Sequence, residues 1–133
     1  MDRVFLDANV LFSAAYKADS SLLQLWKLAD VTLCSSQHAL EEARANLDGQ
    51  EQRVRLKKLS EKLRLVEANE GSLPRGVVLP GKDVPILLGA IAAQATHLLT
   101  GDIRHFGSYF GKKIAGIAVA RPGAYLKQRA DKI

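Results

Sequence analysis

Apolar residues fall along the chain in two kinds of run. Short clusters at RVFL (3–6), VTLC (31–34), HLL (97–99) and GIAVA (116–120) have the length and apolar density of buried strands. Between them, apolar positions recur at helical spacing. Asn9–Lys17 and Ser21–Ala29 are predicted helices, separated by the capping signal Asp19-Ser20-Ser21. SSQHALEEARANL follows the second strand, with Ser35 or Ser36 as its N-cap and Asp48-Gly49 as its stop. The most regular stretch is Glu51–Val66, where Leu56, Leu59, Leu63 and Val66 make one stripe and predict a single helix. Residues 68–82 carry three Gly and two Pro and predict a loop, with room for a short strand at Val77–Leu79. A further helix is predicted from Val84 to about Ala95, with Pro85 in its first turn.

Strands alternating with helices predict an α/β fold: a three-layer α/β/α sandwich around a mainly parallel sheet, as one domain over residues 1–133. Parallel strands align their carboxyl ends on one rim, where ligands gather. Asp7 closes the first strand at that rim, and a carboxylate there is costly to desolvate. Asp102 follows HLLTG, Asp83 opens the helix DVPILLGAIAAQA, and Glu42 lies about two turns into the helix after the second strand. Each has a plain structural use. Asp83 suits a helix cap, Asp102 can satisfy turn amides, Glu42 can point to solvent, and Asp7 can accept N–H groups of the next helix. Taken together, clustered carboxylates raise one another's pKa unless a cation joins them. Oxygen donors of this kind suit Mg²⁺ or Mn²⁺, and magnesium held by carboxylates is a common instrument for cutting phosphodiesters.

Composition narrows the partners. The 133 residues carry a formal net charge of +5, which favours a polyanion without deciding the matter. Arg53, Arg55, Lys57, Lys58, Lys62 and Arg64 line the Glu51–Val66 stretch, either as a solvated face or as contacts to RNA phosphates; Lys112 and Lys113 are further candidates. The single cysteine, Cys34, sits in an apolar strand and excludes a disulfide within the chain. No basic segment followed by an apolar one opens the chain, and the longest apolar run, 86–93, is far short of a membrane span. A soluble cytoplasmic protein with no membrane partner is the expectation.

The motifs, in this order and spacing, resemble the PIN-domain family, in particular the toxin components of VapC-type toxin–antitoxin pairs. FLDANVLFSA resembles the family's opening strand with D-x-N, and SSQHALEEARANL the helix that supplies a glutamate. DVPILLGAIAAQATHLLTGD resembles the closing block, and IAVARPGAYL the last strand and its proline-led helix. The resemblance implies a metal-dependent endoribonuclease with Asp7, Glu42, Asp83 and Asp102 as catalytic and metal-holding carboxylates, Glu42 being preferred over Glu41. It also implies supporting roles for Asn9 and Thr100, an antitoxin protein partner and a homodimer. After T-G-D the chain departs from many members: Ile103, Arg104 and His105 stand in place of a further acidic residue, which is compatible with one ion rather than two. Arg104 and His105 are candidates for phosphate contact, His105 also standing open as a surface histidine or a general acid. His38 and His97 read as structural. Leu22, Leu25 and Trp26 serve either the core or a partner patch.

Two rival readings differ in chemistry. A non-catalytic PIN-like module would bind RNA or protein on the same fold, yet a pure RNA binder gains nothing from clustered negative charge. A haloacid-dehalogenase-type phosphotransferase needs a second aspartate two residues after the first, and Asn9 occupies that position.

Overall fold

The first strand, β1 (Asp2–Leu6), runs through the middle of the sheet, and Val4, Phe5 and Leu6 are fully buried. A strand covered on both faces has no polar side to show, which is why it reads as an unbroken apolar run. In the computed structural model, which describes residues 1–67 and 73–131, β1 pairs in parallel with β2 (Val31–Ser36) on one side. On the other side it pairs in parallel with β4 (His97–Leu99). β3 (Arg64–Val66) extends the sheet beyond β2, β6 (Ile117–Ala120) lies beyond β4, and antiparallel β5 (Lys113–Ile114) closes the far edge. Helices α1 (Ala8–Tyr16), α2 (Gln37–Asn46), α3 (Gln50–Ser60), α4 (Val84–Ala92), α5 (Ile103–Phe106) and α6 (Pro122–Asp131) cover both faces. This is the mainly parallel α/β/α sandwich that the alternation predicts.

Four local expectations fail, each for a physical reason. The predicted helix Glu51–Val66 is two elements: α3 ends at Ser60, and residues 64–66 form β3 against the open side of β2, Cys34 opposite Arg64 and Ser36 opposite Val66. Ser60 Oγ donates to the Lys57 carbonyl at 2.6 Å, a local bond that competes with continuing the helix. The basic residues from 53 to 64 therefore do not share one helical face: Lys62 lies in the turn and Arg64 on the edge strand. Ser21–Ala29 winds as a 3₁₀ helix over Ser21–Lys27, whose steeper rise spans the gap to β2 while Leu25 is fully buried. Trp26 and Leu22 are half-buried against the core, and the Trp26 indole donates to the Leu59 carbonyl at 3.1 Å.

No strand forms at Val77–Leu79, where only Leu79 is buried; residues 68–72 of that predicted loop lie outside the described residues. The helix expected to reach Ala95 stops at Ala92 because Gln94 takes φ 54°. Its N–H bonds the Ile91 carbonyl while the Ala95 N–H bonds that of Ala90, a Schellman closure made without glycine. The β5–β6 hairpin also escapes the sequence pattern, since Ala115 and Gly116 both adopt positive φ in its two-residue turn.

One close approach sets the position of α4. A methyl added at Gly89 would stand 2.9 Å from the buried Phe5 ring on β1. Gly89→Ala is expected to destabilise the fold by about 1–2 kcal/mol, net of its gain in helix propensity. Chemical denaturation with a lowered midpoint and unchanged slope checks this.

Candidate metal centre

Two neighbouring strand ends build the floor of the site. Leu6 and Leu99 are register partners on β1 and β4, and the Asp7 N–H carries the pairing one step further onto the Leu99 carbonyl at 3.1 Å. Asp7 and Thr100 thus leave their strands side by side. Asp7 caps α1 through Oδ1, which accepts from the Ala8 N–H at 2.6 Å. Its Oδ2 accepts from the Thr100 hydroxyl at 2.8 Å and from Asn9 Nδ2 at 3.2 Å. Thr100 Oγ1 in turn accepts from the Asp102 N–H at 3.1 Å, and Asn9 Oδ1 from the Gly101 N–H at 2.8 Å.

Asn9 therefore works as donor and acceptor at once, which a carboxylate cannot do. Asn9→Asp is expected to raise the Asp7 pKa further and to lower stability at pH 8 by about 1–3 kcal/mol, because it sets two carboxylates against each other. Carboxyl chemical shifts followed against pH measure the first effect; a thermal melt measures the second.

Asp7 is only 4% exposed. Burial, and after it the charges of Asp83 and Glu42, push its pKa up to about 6 against the hydrogen bonds that favour the ion. Asp83, 6% exposed, is also raised, by burial first and by Asp102 and Glu42, with His105 opposing. It stands at the start of α4 but makes no capping bond with its side chain, so the helix-cap reading fails. Asp102 does accept the His105 N–H at 3.1 Å through Oδ1, and so starts α5. Its other oxygen lies 2.8 Å from His105 Nδ1, and Asp83 Oδ2 lies 2.7 Å from the same nitrogen. These are ion-pair separations without hydrogen-bond alignment: neither Asp83 Oδ2 nor His105 Nδ1 has an aligned partner, although both are buried.

A cleft of about 440 Å³ opens above these groups and is lined by Asp7, Asn9, Phe12, Glu42, Asp83 and Asp102, with Lys82 beside them. Four carboxylates from four separated segments face one space. Glu42 is exposed on α2 and belongs to that lining; Glu41, among the described residues, does not. With two of the carboxylates raised in pKa chiefly by burial and one buried oxygen unpartnered, the donors suit a hard divalent cation.

The predicted basic residues lie elsewhere. Arg53 Nε donates to the Leu47 carbonyl at 2.7 Å and Arg55 Nη1 to that of Ala15 at 2.6 Å, so both tie α3 to its neighbours. Lys57, Lys58, Lys62 and Arg64 are exposed away from the cleft lining, and Lys112 and Lys113 are exposed at the far edge of the sheet, where lysine also blocks edge pairing. Arg104 is exposed on α5. His38 is exposed, and the His97 ring packs on Tyr125, centroids 4.9 Å apart.

Sequence reasoning missed two site residues. Lys82 adjoins Asp83 in the chain and lines the same cleft. His105, left open as a surface histidine, a phosphate contact or a general acid, joins the Asp83–Asp102 cluster. The readable signal was its spacing of three from Asp102 across the first turn of a helix.

The PIN-domain family profile matches residues 3–104, most of the chain. The chain belongs to the PIN-domain family. This PIN domain shares its fold with the structure of VapBC2 from Rickettsia felis bound to a DNA fragment from its promoter, with 22% identity and a TM-score of 0.65 over 90% of this chain and 98% of that one. VapBC-1 from nontypeable Haemophilus influenzae matches with 16% identity and a TM-score of 0.59, over 91% and 98% of the respective chains. FitAcB from Neisseria gonorrhoeae matches with 20% identity and a TM-score of 0.55, over 90% and 98%. No curated protein sequence matches this PIN domain. Among its described residues, no helix is long and apolar enough to cross a membrane.

Proposed function

We propose that this chain is a divalent-metal-dependent endoribonuclease, one PIN domain acting as the toxin of a type II toxin–antitoxin pair in the cytoplasm. The convergence of Asp7, Glu42, Asp83 and Asp102 on one cleft, with a buried Asp83 oxygen left unpartnered, carries the reading. These four residues would hold Mg²⁺ or Mn²⁺. A bound ion supplies an acidified water and neutralises charge on the scissile phosphate.

The remaining chemistry belongs to the chain. Thr100 and Asn9 fix the Asp7 carboxylate in one orientation. Lys82 brings a cation to the cleft for a phosphate oxygen. Arg53, Arg55, Lys57, Lys58, Lys62, Arg64, Arg104, Lys112 and Lys113 are the proposed contacts to the RNA backbone, in keeping with the net charge of +5. The structural neighbours are VapBC and FitAB structures, which supports a protein antitoxin for this chain as well; a homodimer is part of the same proposal by family resemblance alone.

Labelled RNA incubated with purified protein is expected to be cut in Mg²⁺ or Mn²⁺ and spared in EDTA, with binding that weakens steeply as salt rises. Retention of RNA without cutting in either ion would instead favour the non-catalytic binding module.

A further inference from the structure

We propose that His105 is a nitrogen ligand of the ion held by Asp83 and Asp102, and that it biases the site toward Mn²⁺ over Mg²⁺. This rests on the metal-dependent reading above and goes beyond it, because the four carboxylates alone give an all-oxygen site with no such bias.

The argument begins with hydrogen-bond arithmetic. His105 Nδ1 lies within 2.8 Å of two carboxylate oxygens, Asp83 Oδ2 and Asp102 Oδ2. A ring nitrogen carries at most one hydrogen, so it cannot serve both. One of the two oxygens stays unpaired, and where that is the buried Asp83 Oδ2 it bears the cost of a desolvated acceptor. The observed geometry is worse still, since neither Asp83 Oδ2 nor His105 Nδ1 has an aligned partner. The Asp83 side chain is 8% exposed and the His105 side chain 15%, so water offers little relief.

A cation resolves all three groups together. The ligand atoms of Asp83, Asp102 and His105 lie within 4.8 Å of one another. Neighbouring ligands around an octahedral ion at about 2.1 Å stand about 3.0 Å apart, so these contacts need to open by only about 0.2–0.3 Å. Nδ1 then offers its lone pair, with the ring hydrogen on Nε2. The arrangement is held in advance. The His105 N–H bonds Asp102 Oδ1, which sets ring and carboxylate on one turn, and fully buried Phe106 anchors that turn in the core.

The donor type sets the preference. Magnesium favours oxygen and keeps its waters, whereas an imidazole nitrogen raises affinity for first-row transition ions.

Pulsed EPR of the full-length protein loaded with Mn²⁺ tests this directly. We expect a ¹⁴N coupling that converts to ¹⁵N when histidine is labelled, and that vanishes in His105→Gln. Competition titrations should show Mn²⁺ affinity falling about tenfold in that variant, with Mg²⁺ affinity changed less than about twofold. Should His105→Gln fail to fold, the labelled parent still reports whether a histidine is bound. Mn²⁺ bound without nitrogen coupling, or with coupling that survives in folded His105→Gln, overturns the inference and leaves the carboxylate site standing. Absence of any Mn²⁺ binding overturns the metal-dependent reading itself.

Discussion

Asp7→Asn is expected to unfold at a higher temperature than the parent in EDTA at pH 8, and to lose nearly all RNA cleavage in Mg²⁺. Both halves follow from one carboxylate. Its pKa is pushed from 3.8 to about 6, chiefly by burial, which amounts to about 3 kcal/mol against the charged form. The amide removes that charge but presents an NH₂ group where Asp7 only accepts, so a net gain of about 1–2 kcal/mol is the expected balance. In a domain of this size that is a rise of several degrees, on the order of 4 °C per kcal/mol, read by scanning calorimetry. Cleavage in Mg²⁺ should fall about a thousandfold or more, since the amide no longer supplies an anionic donor. Full activity in the folded variant would refute the site; a lower melting temperature in EDTA would refute the idea that the parent holds an uncompensated charge.

A second large effect follows pH. In the folded, metal-free protein Asp7 binds its proton up to about pH 6, whereas in the unfolded chain it releases it near 3.8. Between those values the folded state holds more protons, so stability is greatest below the window and falls as pH rises through it. Asp83 is shifted in the same direction and adds to the fall. Metal binding runs the opposite way, because the ion competes with the proton. At pH 5 about one Asp7 in ten is ionised, so the metal concentration needed for half-saturation should rise about tenfold relative to pH 7.5. Calorimetric titration at the two values decides it, and an affinity that does not change with pH would exclude Asp7 as a ligand.

Much of this site was legible because strand ends in a parallel sheet are predictable places. RVFL and HLL are short apolar runs, each leading directly to an acidic residue or a T-G-D, so Asp7 and Asp102 were placed on one rim without coordinates. Asp83 was chosen for standing at a helix start on that rim; the position is real, and the rival reading of it as a side-chain cap fails. What escaped detection was geometry that depends on partners distant in sequence. Leu63 and Val66 continue a helical stripe numerically, and only the open edge of β2 turns residues 64–66 into a strand. His105 gives no periodic signal, and its meeting with Asp83 depends on where α4 begins relative to β4. The PIN-domain fold was therefore more readable than the donor set it carries.

The sheet joins distant parts of the polypeptide at its centre: Val4 of β1 sits opposite His97 of β4, and Asp7 bonds Thr100, 93 positions away. During synthesis, residue 7 leaves the ribosome long before its companion does. A prematurely released fragment that ends before β4 lacks the strand on which Asp7 is oriented, and so would be catalytically silent. Any activity that needs the four carboxylates together is thereby withheld from the nascent chain by its topology.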